Sequence, residues 1–293
     1  MSFTRTRSGL SNLHLFYDSD LIVFTEGGTQ TFTLQEIEEG KHNTYSVDIK
    51  FWKNIFDING LEKKVSFRAI GSKTASKSFC EKIVNGEIHN IVVAKDRDLD
   101  EYVDTIYTSP FILYTKGYSW ENDVFIKDLT HEQIENMLLT AETPEEVNSI
   151  IDKAFNDFKR IGKNLAKLEI MFRKNGVKFI SNMNGERFFN AKTHAVINKE
   201  QFFQVLKEKK VLLDKPRMTT FSGPNICPFM TNYGKLLEAL SMTVISYICK
   251  RFCNIKSIPK DIIITSMIER FANKIKRVRD EYYFNLVTNL QNA

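Results

Sequence analysis

The residues best suited to chemistry are acidic and stand where apolar runs end. Asp20–Thr25 (DLIVFT) stops at Glu26-Gly27-Gly28. Ile88–Ala94 (IHNIVVA) runs into Lys95-Asp96-Arg97-Asp98-Leu99-Asp100, and Pro110–Thr115 (PFILYT) leads to Gly117-Tyr118-Ser119-Trp120-Glu121-Asn122. On an extended backbone Asp96 and Asp98 share one side, a spacing suited to one hard cation, and Glu26 can close the cluster from a neighbouring strand. Carboxylates held together repel one another, and a bound cation relieves that cost. Mg2+ is usually held by one or two carboxylates together with substrate phosphates, so the pattern predicts phosphodiester cleavage or transfer with Mg2+ or Mn2+ as cofactor. Glu26, Asp96 and Asp98 are the expected metal ligands; Asp100 and Glu121 are further catalytic candidates. The blander readings are a solvated loop for Asp96 and Asp98, a turn residue for Glu26, and a helix N-terminal acid offsetting the macrodipole for Glu121.

Basic groups accompany this edge: Arg68, Lys73, Lys95 and Arg97, each a surface charge or a phosphate contact. Lys73 is the preferred phosphate contact, because it opens an expected helix whose free N–H groups favour anions. Gly71-Ser72-Lys73-Thr74 lacks the earlier glycine and the lysine position of a P-loop, which argues against ATP hydrolysis by this chain. The five histidines show no HExxH or paired spacing, so zinc hydrolysis is not expected, although His42 could assist catalysis. Cys80, Cys227, Cys249 and Cys253 form neither a zinc framework nor a secreted disulfide pattern and read as buried or incidental thiols.

The elements that must position these groups are legible in outline. Strands are expected at Asp20–Thr25, Lys64–Ile70, Ile88–Ala94 and Pro110–Thr115, with helices over Ser46–Ile58 and Ser72–Val84 between them. Nearly uniform apolar strands separated by helices predict a parallel α/β domain over residues 1–128, interrupted by an irregular excursion at 29–45. Residues 129–293 read as a mainly helical domain: Thr130–Met137, Thr143–Asn164, Lys199–Glu208, Tyr233–Phe252 and Pro259–Leu290 carry helical spacing. Val177–Ile180 resembles a strand, and Lys215–Tyr233 reads as a loop-rich linker.

At 293 residues the chain is long enough for one or two domains, with 42% hydrophobic and 26% charged residues in ordinary globular proportion. Residues 250–293 hold nine Lys/Arg against four acids, which equals the whole chain's net charge of +5. That clustering is compatible with a polyanionic partner. The longest apolar stretch, Ala239–Cys249, is too short for a membrane span, and the N-terminus lacks a secretory signal, so a cytoplasmic protein without membrane association is expected.

The combination Thr25-Glu26-Gly27, Gly71-Ser72-Lys73 and Asp96-Arg97-Asp98 resembles the Toprim domain of topoisomerases, primases and OLD nucleases. With Asp48-Ile49-Lys50-Phe51-Trp52, Tyr118-Ser119-Trp120-Glu121-Asn122 and Tyr233-Gly234-Lys235-Leu236-Leu237, the whole chain is similar to the OLD-related Toprim effector nucleases of PARIS anti-phage defence. The resemblance implies a metal-dependent endoribonuclease that cleaves host tRNA and is held inactive by an AriA-like ABC-type ATPase sensor until a phage trigger releases it. It also implies a homodimer when active, with Glu26 matching the Toprim glutamate and Asp96 and Asp98 the metal-binding aspartates. One departure is the family's Glu-Gly-x-x-Asp run, which here is interrupted by residues 29–45 and resumed by Asp48. Other readings from the same residues are a DNA endonuclease of OLD type and a non-catalytic partner-binding module.

Overall fold

The computed structural model describes residues 13–71, 73–103, 105–180, 186–190, 196–213 and 226–293. In chain order the helices are α1 (Leu13–Phe16), α2 (Leu34–Glu38), α3 (Val47–Ile58), α4 (Lys73–Val84), α5 (Asp100–Val103) and α6 (Trp120–Val124). They continue with α7 (Lys127–Glu135), α8 (Glu145–Lys174), α9 (Lys199–Lys210), α10 (Gly234–Phe252), α11 (Lys260–Arg277) and α12 (Glu281–Asn292). The strands are β1 (Leu21–Thr25), β2 (Val65–Ala69), β3 (Ile91–Lys95), β4 (Ile112–Tyr114), β5 (Phe189–Asn190) and β6 (Val196–Ile197).

Contacts divide the chain into two compact units that interleave in sequence. The first holds residues 1–97, 105–116 and 272–293, and the second 98–104 and 117–271. A single boundary at residue 128 is therefore not the division the fold draws, because the C-terminal helix α12 belongs with the sheet.

In the first unit, β1 to β4 form one parallel sheet in the order β2-β1-β3-β4, as the sequence predicts for an α/β fold. β1 and β3 are the central strands and are buried along their whole length, which is why both read as unbroken apolar runs. Ile22, Phe24, Ile91 and Val93 form a core with Ala75, Phe79 and Ile83 of α4, and Phe24 stacks on Phe79 with centroids 4.8 Å apart. Strand alternation turns Leu21 and Val23 to the opposite face. A second aromatic core joins Phe51 and Trp52 of α3 to Tyr283 of α12 at 5.9 and 6.0 Å.

The predicted excursion at 29–45 contains α2, closed by a capping box between Thr33 and Glu36, and returns to the sheet through an antiparallel bridge between Asn43 and Ala69. Asn43 Nδ2 donates to the carbonyls of Gln30 and Ala69, fastening both ends of the excursion.

The second unit is mostly helical. α10 packs against α6, α7 and α8, with Thr130 of α7 donating from Oγ1 to Ser241 of α10 at 3.0 Å. Three sequence expectations are corrected here. Val177–Ile180 forms no strand: Phe179 stacks on Phe172 with centroids 5.0 Å apart, Ile180 donates its N–H to Glu169 Oε2 at 2.7 Å, and the small antiparallel pair is β5 with β6. The helix expected to stop at Asn164 runs on to Lys174, ending where Gly176 adopts φ +74°. The long C-terminal helix is two helices, broken before Asp280, whose Oδ1 caps α12 by accepting from the N–H of Tyr282. Most of the expected linker at 215–233 lies outside the described residues. No helix among the described residues is long and apolar enough to cross a membrane.

Candidate functional site

A parallel sheet binds ligands beyond the carboxyl ends of its strands, at the point where the strand order reverses. In the first unit the order reverses between β1 and β3, since β1 is followed in sequence by β2 on one side and by β3 on the other. Thr25 pairs with Ala94 in register, so the next residues out of the two strands, Glu26 and Lys95, stand side by side, and Asp96 follows. Glu26 and Asp96 are therefore at the rim where a ligand is expected, each half-buried.

The turn after β1 carries a third carboxylate to the same place. Asp48, in the first turn of α3, packs its carboxylate against the backbone of Gly27. The 29–45 excursion thus loops out and returns the chain so that Asp48 stands beside Glu26-Gly27, despite the interruption of the sequence pattern. The Gly71 N–H donates to the Gly27 carbonyl, holding the exits of β1 and β2 together. Lys73 opens α4 at an exposed position immediately after this turn, as expected for a helix-start lysine.

Lys95 departs most from expectation. It is not a surface charge: its side chain is 2% exposed, and its Nζ lies 3.8 Å from Glu26 Oε1, whose side chain is 13% exposed. The same ammonium stands over the Tyr114 ring at 5.3 Å. A buried ammonium needs such a partner, because desolvation of an isolated charge is costly.

The other basic candidates are engaged elsewhere in the first unit. Arg97 donates from its backbone N–H to Thr115 Oγ1, from Nε to the Thr115 carbonyl and from its guanidinium to Tyr282 Oη at 2.8 Å, tying the end of β3 to β4 and α12. Arg68 donates to the Phe67 carbonyl and stacks over Tyr17, 4.0 Å from the ring centroid. His42 Nδ1 lies 2.8 Å from the Gly40 carbonyl.

The remaining acidic candidates fall in the second unit. The extended geometry expected for Asp96-Arg97-Asp98 ends at Lys95. Asp98 is left-handed, with φ +51°, and its N–H donates to the Tyr118 carbonyl at 2.7 Å. The period-two rule that put Asp96 and Asp98 on one side does not apply across such a residue. Around Asp98 the second unit is polar: Arg173 of α8 donates to Tyr118 Oη at 3.1 Å and to Glu169 Oε1 at 2.6 Å. Burial, then the charge of Asp98, pushes the Tyr118 hydroxyl well above the ordinary tyrosine range. Asp100 is buried at the start of α5.

Glu121 has a structural setting. The two motifs read separately as Tyr118–Asn122 and Tyr233–Leu237 meet here: Lys235 Nζ lies 2.7 Å from both Glu121 Oε1 and Glu238 Oε2, and Lys260 also pairs with Glu238. Ser119 donates to Glu121 from Oγ. Burial alone would lower the Lys235 ammonium, but Glu121 and Glu238 together hold it above the usual lysine value. Burial, then Glu121, pushes the Tyr233 hydroxyl up to about 12. Both carboxylates are under 5% exposed, and the lysine between them balances the buried charge.

The donor types at Glu26, Asp48 and Asp96 suit a hard divalent cation. Their arrangement does not form a site: among the described residues no group of three or more His, Cys, Asp or Glu is placed to hold a metal ion, and the Lys95 ammonium lies beside Glu26. Among the thiols, Cys80 and Cys249 are buried as expected, whereas Cys227 is exposed. No family model matches the chain, and a comparison with curated proteins finds no match.

Proposed function

We propose that the chain is a metal-dependent nuclease of Toprim type that cleaves RNA at the rim formed by the carboxyl ends of β1 and β3. The observation that carries this reading is that Glu26 and Asp96 leave adjacent central strands at the reversal of strand order, with Asp48 returned to the Glu26-Gly27 turn. Lys73, at the exposed start of α4, contacts substrate phosphate.

A surface of the second unit supports a polyanionic substrate. Lys159, Lys163 and Lys167 recur four residues apart on α8, the first two exposed and the third half-buried. None of them has an ion-pair partner among the described residues, while the acids of that half of the helix are taken: Asp157 by Arg160 at 3.5 Å and the buried Glu169 by Arg173. Like charges at this spacing cost an isolated helix about 0.2–0.5 kcal/mol per pair, and rise about 6 Å per step. A phosphodiester backbone offsets that repulsion.

The similarity to OLD-related Toprim effectors extends the proposal to tRNA as substrate, an ABC-type ATPase sensor as partner, a homodimeric active form and a cytoplasmic setting. The test is incubation of the purified chain with total cellular RNA and with plasmid DNA, with Mg2+, Mn2+ or EDTA, followed by sequencing of new ends. RNA ends that require divalent metal are expected. Cleavage of DNA alone would move the substrate to that of an OLD-type DNA endonuclease, and no cleavage of either would leave a partner-binding module.

A further inference from the structure

Helix α9 of the second unit turns one aromatic ring and three ammonium groups to solvent along a single line. At 3.6 residues per turn, Lys199, Lys207 and Lys210 lie within about 40° of Phe203 around the helix. All four side chains are exposed, and Phe203 is 62% exposed. The opposite side is the one that packs: Val205 is buried, and Phe202 meets Phe179 and Phe188 with centroids 6.0 and 6.2 Å apart. Phe203 touches this aromatic cluster through Phe202, whose ring it meets edge-on at 5.4 Å. That contact holds the Phe203 ring in place while leaving a face of it open to water.

None of the three lysines has an ion-pair partner among the described residues. Glu208 stands on another side of the helix and accepts from Gln204 Nε2 at 3.0 Å. Lys207 and Lys210 lie in the last turn, where the helix dipole favours a cation. Lys199 has no such reason, because it is the first helical residue and faces the positive end of the dipole. A large ring left in water and a cation at the disfavoured end are both relieved by an external polyanion that also carries flat apolar faces. Single-stranded nucleic acid has that chemistry: its bases stack on exposed aromatic rings and its phosphates pair with lysines. An anionic bilayer fits less well, since a helix lying on a membrane turns its apolar stripe outward, whereas Phe202 and Val205 here face inward.

We propose that Phe203 stacks on an unpaired base of the RNA while Lys199, Lys207 and Lys210 hold neighbouring phosphates, so that the second unit prefers single-stranded segments to duplex. The inference rests on the reading of RNA as substrate and names the part of it that this unit grips. A base inside a duplex is already stacked on its neighbours and has no free face for the ring, whereas phosphates are available in either form. Selectivity therefore comes from Phe203, and the salt dependence from the lysines.

The test follows the fluorescence anisotropy of a labelled RNA strand that does not self-pair, and of the same strand annealed to its complement. The full chain is titrated in EDTA, so that binding is read apart from cleavage. The wild type is expected to bind the single strand more tightly than the duplex. Phe203→Ala should weaken single-strand binding by roughly 5–150-fold and leave duplex binding unchanged, while Phe203→Trp keeps the preference. Replacing Lys199, Lys207 and Lys210 together by Gln should weaken binding of both forms and lower the slope of log affinity against log salt on the single strand by roughly 2. Because all four positions are exposed, these variants should melt with the wild type. Wild-type affinity of Phe203→Ala for the single strand would overturn the stacking and leave RNA as the substrate. Failure of the wild type to bind either RNA would overturn the RNA reading and this inference with it. Binding of the wild type to vesicles of phosphatidylserine and phosphatidylcholine that Phe203→Ala loses, with RNA binding unaltered, would overturn the inference in favour of a membrane surface.

Discussion

Asp48 and Gly27 touch so closely that only glycine fits between them: a β-carbon on Gly27 would stand 1.9 Å from Asp48 Oδ2 and 2.5 Å from its Cγ. The chain omits a side chain at the very turn that follows Glu26, and uses the space for a carboxylate delivered across a twenty-residue gap in sequence. This contact converts an interrupted sequence pattern into a continuous rim.

Gly27→Ala is expected to displace the Asp48 side chain with little loss of fold, because the atoms it strikes belong to a short side chain that is able to rotate. Thermal melts should fall by no more than the equivalent of about 1–2 kcal/mol, while metal-dependent cleavage falls to the level of Asp48→Asn. The double variant should be no worse than either single one. Fully additive losses would show that Gly27 and Asp48 act independently.

Gly71→Ala is a contrasting case. Gly71 has φ +65°, and an added β-carbon would lie 2.1 Å from the Gln30 carbonyl oxygen, a backbone atom that cannot rotate out of reach. The strained backbone alone costs about 1–3 kcal/mol, and the clash adds to it. Chemical denaturation of this variant should show a clear loss of stability, with the 29–45 excursion losing protection from hydrogen exchange first.

The Lys235 cluster predicts an alkaline sensitivity. Lys235 and Tyr233 both bind their protons more tightly in the folded chain than in the unfolded one. Their contribution is fully present below the unfolded values of about 10 and is lost as pH rises above them, through about 12 for Tyr233. Unfolding free energy should be flat with respect to these groups at pH 7–9 and fall above pH ~10. Tyr233→Phe should lessen the fall. Lys235→Met should destabilise the chain at neutral pH by about 2 kcal/mol, less than the ~3–5 kcal/mol of a wholly buried pair because Lys235 is more than a third exposed.

The α8 lysines predict a salt signature. Replacing Lys159, Lys163 and Lys167 together by Gln should weaken RNA binding uniformly across sequences. It should also reduce the slope of log affinity against log salt by roughly 2, since each phosphate contact on a single strand contributes about 0.7. An unchanged slope would remove this helix from the substrate path.

The sheet was legible because β1 and β3 are buried along their whole length and so read as nearly unbroken apolar runs, each followed directly by an acid, Glu26 and Asp96. The start of α4 at Lys73 was legible for a similar local reason, a glycine turn before an amphipathic stripe. Local pattern failed where tertiary contacts decide. Phe179 and Ile180 look like a strand, but Phe179 is held by stacking on Phe172 and Ile180 by its N–H donated to Glu169. The apolar period of α11 continues into α12 across the break at Asp280, so sequence periodicity hid the interruption. Asn175-Gly176, with Gly176 at φ +74°, marks the true end of α8. The pairing of Lys95 with Glu26 depends on strand register, which no local window contains.

The most direct measurement is cleavage of total cellular RNA by wild type and by Glu26→Gln, in Mg2+ or Mn2+ and in EDTA, with melting curves recorded on both proteins. Metal-dependent cleavage is expected from the wild type and none from Glu26→Gln, which should melt as a folded protein. Equal metal-dependent cleavage by the two would contradict this expectation.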